Sequence, residues 1–106
     1  MAQFDVHRNT GRNKGIIPYV VIVQSSYYDK AKRRVVVPLV SGAVLDKLPV
    51  SPINPQFLVE NQPVVLNPLE IVSMPLEALG EKVATLADDS DAIIAALDEL
   101  FARAWH

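Results

Sequence analysis

Few side chains in this chain of 106 residues have the nucleophilicity or the pKa that catalysis needs. The two imidazoles, His7 and His106, stand at opposite ends, and neither has a carboxylate at metal-ligand spacing. No metal and no cofactor are therefore expected. Cysteine is absent, which removes thiol nucleophiles, thiolate ligands and disulfides together. Ser25 and Ser26 follow no Gly-x-Ser-x-Gly elbow and read as turn hydroxyls that cap backbone. Thr10-Gly11-Arg12-Asn13-Lys14-Gly15 has the composition of a phosphate cradle but not the Walker spacing, nor Gly-x-Gly-x-x-Gly after a strand. It reads as a basic loop: either a solvated hairpin turn or a site for an acidic peptide or nucleic acid. Asp88, Asp89, Asp91, Asp98 and Glu99 resemble a paired-carboxylate site only in number. The first three fit the start of a helix, whose dipole they complement. Asp98 and Glu99 are expected on its polar side, opposite Ile94 and Leu97. Catalysis by this chain is not expected.

The elements that would position these groups follow from periodicity. From Asp88 onward, Ile93, Ile94, Leu97, Leu100, Phe101 and Ala104 recur at steps of three and four, which predicts an amphipathic α-helix with that set on its buried face. Asp88, Asp89 or Ser90 is expected to accept its first amide hydrogens. Seven of the eight prolines lie between Pro38 and Pro75, so no long helix fits there. The one gap is residues 39–48, where Ser41 could cap a short turn carrying Ala43, Val44 and Leu48. Residues 49–55 read as a rigid surface loop. Short β-branched runs at 16–23, 35–40, 57–59, 64–66 and 71–72 predict strands. Tyr19-Val20-Val21-Ile22-Val23 is apolar throughout, which suggests a strand covered on both faces, with 33–39 as its antiparallel partner across a connection at 24–32. The fold class is α+β: mostly antiparallel sheet with one C-terminal helix, in one domain spanning residues 1–106.

Composition narrows the class further. Half of the residues are hydrophobic, which argues against disorder. No apolar run reaches the ~20 residues of a membrane span, and the start Met1-Ala2-Gln3-Phe4-Asp5 lacks a secretory signal, so a cytoplasmic protein is expected. The net charge of -2 conceals a partition: residues 1–47 hold eight Lys/Arg against three Asp, whereas 48–106 hold two basic groups against nine acidic ones. Such polarity either steers partners of both signs or solvates two faces. The helix ends Phe101-Ala102-Arg103-Ala104-Trp105-His106, with the single tryptophan penultimate. Trp105 either tucks back onto the sheet or is offered to a partner.

Five segments then fall into a familiar order: Val23-Gln24-Ser25 with Asp29 four residues on, Arg33-Arg34-Val35-Val36-Val37-Pro38-Leu39, Ser73-Met74-Pro75, Gly80-Glu81-Lys82-Val83-Ala84-Thr85-Leu86, and the closing amphipathic helix. With the start Gln3-Phe4-x-Val6, they make the chain resemble the CcdB toxins over nearly its whole length. The resemblance implies a small barrel-like sheet body with a C-terminal helix, a homodimer, and no catalytic activity. It implies binding to the A subunit of DNA gyrase and trapping of the cleaved DNA complex. It also implies neutralisation by a disordered CcdA-like antitoxin, which wraps the toxin and with it represses the operon, so that DNA is met only through that complex.

Carried onto this sequence, the resemblance places gyrase binding at Ser25, Tyr27, Asp98, Phe101 and the tail. Ser25 is the motif serine. Tyr27 stands where the family has an exposed aliphatic residue, and Asp98 where it usually has an amide. The family ends Phe-Trp-Gly-Ile, whereas here Phe101 is followed by three residues before Trp105. Three added helical positions turn the tryptophan by about 300° and carry it about 4.5 Å along the axis, so Trp105 returns near the original face one turn further out. Arg8, Arg12 and Lys14 suit an acidic antitoxin peptide. Two other readings compete. One is a ribonuclease toxin of the MazF/Kid type using Arg12, Arg33, Arg34, Thr10 and His7 on a phosphodiester. The other is a diverged homologue that binds antitoxin without poisoning gyrase.

Overall fold

The computed structural model describes residues 2–42 and 51–102. Among these residues, seven strands and one α-helix follow in the order β1 (Asp5–Arg8), β2 (Tyr19–Ile22), β3 (Arg33–Ser41), β4 (Gln56–Val59), β5 (Gln62–Leu66), β6 (Val72–Pro75), β7 (Lys82–Thr85) and α1 (Ser90–Phe101). The sheet is antiparallel and curled, with order β4-β5-β3-β2-β1-β7, and β6 pairs separately with β3. The expected hairpin is present: Tyr19 pairs with Leu39 and Ile22 with Val36. β1 and β7, which sequence periodicity missed, are four-residue strands in which polar residues interrupt the apolar pattern. The turn expected from Ser41 into 43–48, and residues 49 and 50 of the expected surface loop, lie outside the described residues.

β3 organises the sheet because it has more than one partner on one edge. Its first half pairs with β6, from Arg33 with Pro75 to Val36 with Val72, and its end pairs with β5, from Leu39 with Leu66 to Ser41 with Val64. Pro38 stands between these two ladders, and its carbonyl accepts from the Asn67 amide at 3.0 Å. N–H and C=O of a strand residue point to the same edge, so the amide that proline lacks faces the gap between ladders. A proline in a buried strand therefore costs no ladder hydrogen bond here.

Tyr19, Val20, Val21 and Ile22 are all buried, as expected of a strand covered on both faces. Tyr19 and Val21 join the main core with Val6, Val37, Leu39, Phe57, Val64, Leu66, Leu86, Ile93 and Ala96. Val20 and Ile22 face the other way, with Val36, Met74 and Leu79. His7, which pairs with Val20, is buried on this second side, and its Nδ1 donates to the Gly80 carbonyl at 2.8 Å. Gly80 must be glycine, because a Cβ there would lie 2.5 Å from the Arg8 carbonyl oxygen.

The helix forms where periodicity predicts it, with two corrections. No side chain caps it: Asp89 makes no capping bond. Instead a 3-10 turn at Ala87–Asp89 precedes it, and its i to i+3 bonds, Asp89 N–H to Leu86 and Ser90 N–H to Ala87, use the early donors. The buried face is also narrower than expected. Ile93 and Ala96 are buried and Leu97 and Leu100 half-buried, but Ile94 and Phe101 are exposed. At 100° per residue, Ile94, Asp98 and Phe101 form one stripe about 100° from the centre of the buried face. Asp98 therefore lies beside Ile94, not opposite it.

One clasp closes the curl. The β4–β5 hairpin turns through Glu60 and Asn61, both with positive φ (52° and 63°), the two-residue turn whose twist suits paired strands. Glu60 is an uncommon residue in that conformation, and its side chain shows why it is there. The carboxylate accepts from the Tyr19 hydroxyl at 2.6 Å and pairs with the Arg8 guanidinium at 3.0 Å, so the hairpin tip reaches β1 and β2. The Tyr19 hydrogen bond, aided by Arg8, holds the Glu60 carboxyl below its ordinary pKa. Burial, and then Glu60, raise that of Tyr19.

Two measurements check this account. Ile93→Ala empties a fully buried site and is expected to cost about 2–5 kcal/mol in urea unfolding, whereas Ile94→Ala should stay within about 0.5 kcal/mol. A carboxylate with a lowered folded-state pKa stabilises above its unfolded-state value and loses that contribution as pH falls through the folded one. Wild-type stability should therefore decline more steeply below pH ~4.5 than that of Glu60→Gln, which should start lower at neutral pH. Parallel acid slopes in thermal melts of the two proteins would remove the clasp.

Candidate functional site

The connection between β2 and β3 is heavily built for a surface loop. Ser25 caps a 3-10 turn at Ser26–Tyr28, its hydroxyl accepting from the Tyr27 amide at 3.2 Å. Gln24 spans the neck: its side-chain nitrogen donates to the Tyr28 and Arg33 carbonyls, and its oxygen accepts from the Val35 amide. Arg34 is buried, and its guanidinium donates to the carbonyls of Asp29, Ala31 and Arg33, with the Asp29 carboxylate at 3.9 Å. A buried guanidinium is stable only when its donors are matched, and here the loop backbone matches them. The result is a fixed turn that presents Tyr27 at 85% exposure, with Tyr28 edge-on to it at 5.0 Å between ring centroids.

The second group is on α1. Asp98 and Phe101 share the exposed stripe with Ile94, and Phe101 is 66% exposed. Asp98 also supplies the carbonyl that accepts the Ala102 amide at 2.7 Å and ends the helix. The sequence-predicted residues thus fall into two pairs, Ser25 with Tyr27 and Asp98 with Phe101. Among the described residues, no hydrogen bond or ion pair joins one pair to the other. Trp105 lies outside the described residues. Ile94 and Phe101, both assigned by periodicity to the buried face, are on the surface.

Arg8, Arg12 and Lys14 divide. Arg12 and Lys14 are exposed on the β1–β2 connection, where Asn13 accepts from the Ile16 and Ile17 amides and Thr10 donates to the Ala78 carbonyl. Arg8 is half-exposed but engaged, with Glu60 at 3.0 Å and Glu81 at 3.5 Å. The hydrogen bond that it donates to Glu60 raises its pKa further. An acidic peptide at Arg8 would compete with two carboxylates already in place, whereas Arg12 and Lys14 carry no such pairing among the described residues.

Most residues of the ribonuclease reading are engaged within the fold. Arg34 spends its donors on loop carbonyls, His7 is buried against Gly80, and the Thr10 hydroxyl is bonded to Ala78. Arg33 donates from Nε and Nη2 to Ser73. Four of the five named residues thus have structural partners, those of His7 and Thr10 within the same short segment, Ala78–Gly80.

Among the described residues no helix is long and apolar enough to cross a membrane. No curated protein matches the chain significantly. The family model described as CcdB protein matches residues 3–102. That span takes in every strand, the capped turn at Ser26–Tyr28 and the whole of α1, and the curled antiparallel sheet with one C-terminal helix is the architecture that the resemblance implied. The chain belongs to the CcdB family, the toxin half of a toxin–antitoxin module.

Proposed function

We propose that this toxin acts as a homodimer in the cytoplasm, binds the A subunit of DNA gyrase and holds the enzyme on cleaved DNA. It supplies no catalysis of its own: the broken strands are the product of gyrase chemistry. The observation that carries this reading is the exposure of Tyr27 and Phe101, two large aromatic residues at positions that the resemblance assigns to target binding. Exposed aromatic residues on a rigid support favour association, because little conformational entropy remains to be lost. A CcdA-like antitoxin neutralises the toxin, and the two together repress their operon. Its acidic segment meets Arg12 and Lys14, with Trp105 left to gyrase.

Induced expression without antitoxin, in cells with normal or toxin-resistant gyrase, tests the target. Killing and trapped DNA breaks are expected only with normal gyrase; killing in both strains would instead indicate RNA cleavage, and none in either a diverged homologue. Phe101→Ala should abolish killing while thermal stability stays nearly unchanged, since the side chain is mostly exposed. Full toxicity of that variant would remove the helix end from the site. Arg12→Glu with Lys14→Glu should weaken antitoxin binding at least about tenfold, the size of one or two lost charge-assisted contacts. Killing by that double variant should be undiminished. Unchanged antitoxin affinity in calorimetry would move the antitoxin elsewhere.

A further inference from the structure

The same loop that presents Tyr27 continues into a run of cations. Residues 30–33 read Lys30-Ala31-Lys32-Arg33, all exposed. Asp29, the one acidic residue of the connection, faces the buried Arg34 guanidinium and so offsets none of this surface charge. Among the described residues, neither Lys30 nor Lys32 has an ion-pair partner. Arg33 is held in place by its two hydrogen bonds to Ser73, at 2.8 and 2.9 Å. The Lys32 carbonyl accepts from the Leu76 amide, which ties the run to the turn at Leu76–Ala78. Three cations and two exposed tyrosines thus stand on a backbone already fixed by Arg34 and Gln24.

We infer that Lys30, Lys32 and Arg33, flanked by Tyr27 and Tyr28, form a contact surface for the DNA sugar–phosphate backbone. Phosphate oxygens are met by Arg and Lys, by hydroxyl and amide side chains including tyrosine, and by backbone N–H groups, which fix position without reading sequence, and this loop offers the two cation types and tyrosine hydroxyls. The surface is separate from the proposed antitoxin contact. Arg12 and Lys14 lie on the connection that enters β2, whereas Lys30 and Lys32 follow the end of that strand, one four-residue β2 away, or about 13 Å. An acidic peptide at one end of β2 and DNA at the other would leave both basic loops used. The inference rests on the gyrase reading for its setting: a toxin seated on the cleaved complex would touch the DNA as well as the protein, and trap both. DNA binding by the free toxin does not depend on that setting, and it departs from the resemblance, which has DNA met only through the antitoxin complex.

The test titrates the full-length toxin, and the double variant Lys30→Gln with Lys32→Gln, into a labelled duplex of about 20 base pairs. Salt runs from about 50 to about 200 mM, and binding is read by anisotropy. Both substitutions are at exposed positions, and circular dichroism melts confirm that the variant folds. The wild type should bind at low salt, and the variant should lower the slope of log affinity against log salt by about 1.8, about 0.9 for each lost phosphate contact. The variant should still bind purified gyrase A subunit without DNA, yet accumulate fewer breaks with the holoenzyme. Absence of duplex binding by the wild type, or equal salt slopes, would overturn the inference. So would displacement of duplex by polyglutamate as readily as by unlabelled DNA, which would make the surface a peptide site. A wild type that fails to bind gyrase A subunit, yet shows the lysine-dependent DNA slope, would sink the gyrase reading and leave the DNA surface standing.

Discussion

The fold depends on one carboxylate held in an unfavourable backbone conformation. A sheet whose end strands are β4 and β7 must curl if its main face is to enclose a core, and curling brings the β4–β5 tip toward β1 and β2. Glu60 fixes that approach through the Tyr19 hydroxyl and the Arg8 guanidinium. A left-handed residue without a glycine's freedom is costly, on the order of 1–2 kcal/mol, so the side chain must gain from being there. It accepts one hydrogen bond from a mostly buried tyrosine and one from an arginine whose other neighbour is Glu81. Surface ion pairs alone contribute little. The phenol bond differs, because it joins the main core directly to the hairpin.

The curl also determines where the surface loops can be. β2 lies between β1 and β3, buried on both faces, so its two connections leave from opposite ends of a rigid strand. The β1–β2 connection carries Arg12 and Lys14, and the β2–β3 connection carries Ser25, Tyr27, Lys30 and Lys32. Neither loop needs to be ordered by a ligand. Asn13 and Thr10 hold the first, and Arg34 and Gln24 hold the second from beneath. Charges of like sign are thus kept apart by the strand that is least able to deform.

Much of this was legible in the sequence wherever one residue's neighbours decide its environment. The all-apolar run at Tyr19–Ile22 required two covers and has them, and the period of the last third produced α1. Legibility failed where the deciding contact is distant. Glu60 and Tyr19 are 41 residues apart, Glu60 and Arg8 52, and a turn of Glu60-Asn61 has no glycine to announce it. β1 and β7 escaped notice because Asp5, His7, Arg8, Lys82 and Thr85 break apolar alternation, although Asp5 and His7 are buried. Arg34 read as a surface cation available to a phosphodiester. Its role as a carbonyl clamp is visible only once the loop folds back over it. Of the candidate site, Tyr27 and Phe101 were found through resemblance and are exposed. The helix face was misjudged because a helix that covers only part of a curled sheet buries a narrower stripe than the apolar residues alone suggest.

That narrow stripe bears on what the helix can meet. Ile94, Asp98 and Phe101 run along one line of α1, two apolar side chains with a carboxylate between them. An entirely apolar partner would bury Asp98 without compensation, at a cost that the two flanking contacts could not offset. The facing surface must therefore offer a donor or a cation at the level of Asp98, with apolar ground on either side along about 10 Å of helix. A neutral amide at this position would accept a wider range of partners, since it both donates and accepts and carries no charge to desolvate. The aspartate narrows the choice to a surface with a matching donor or positive group, so under the proposed gyrase reading it would govern which partner is engaged rather than whether the chain folds.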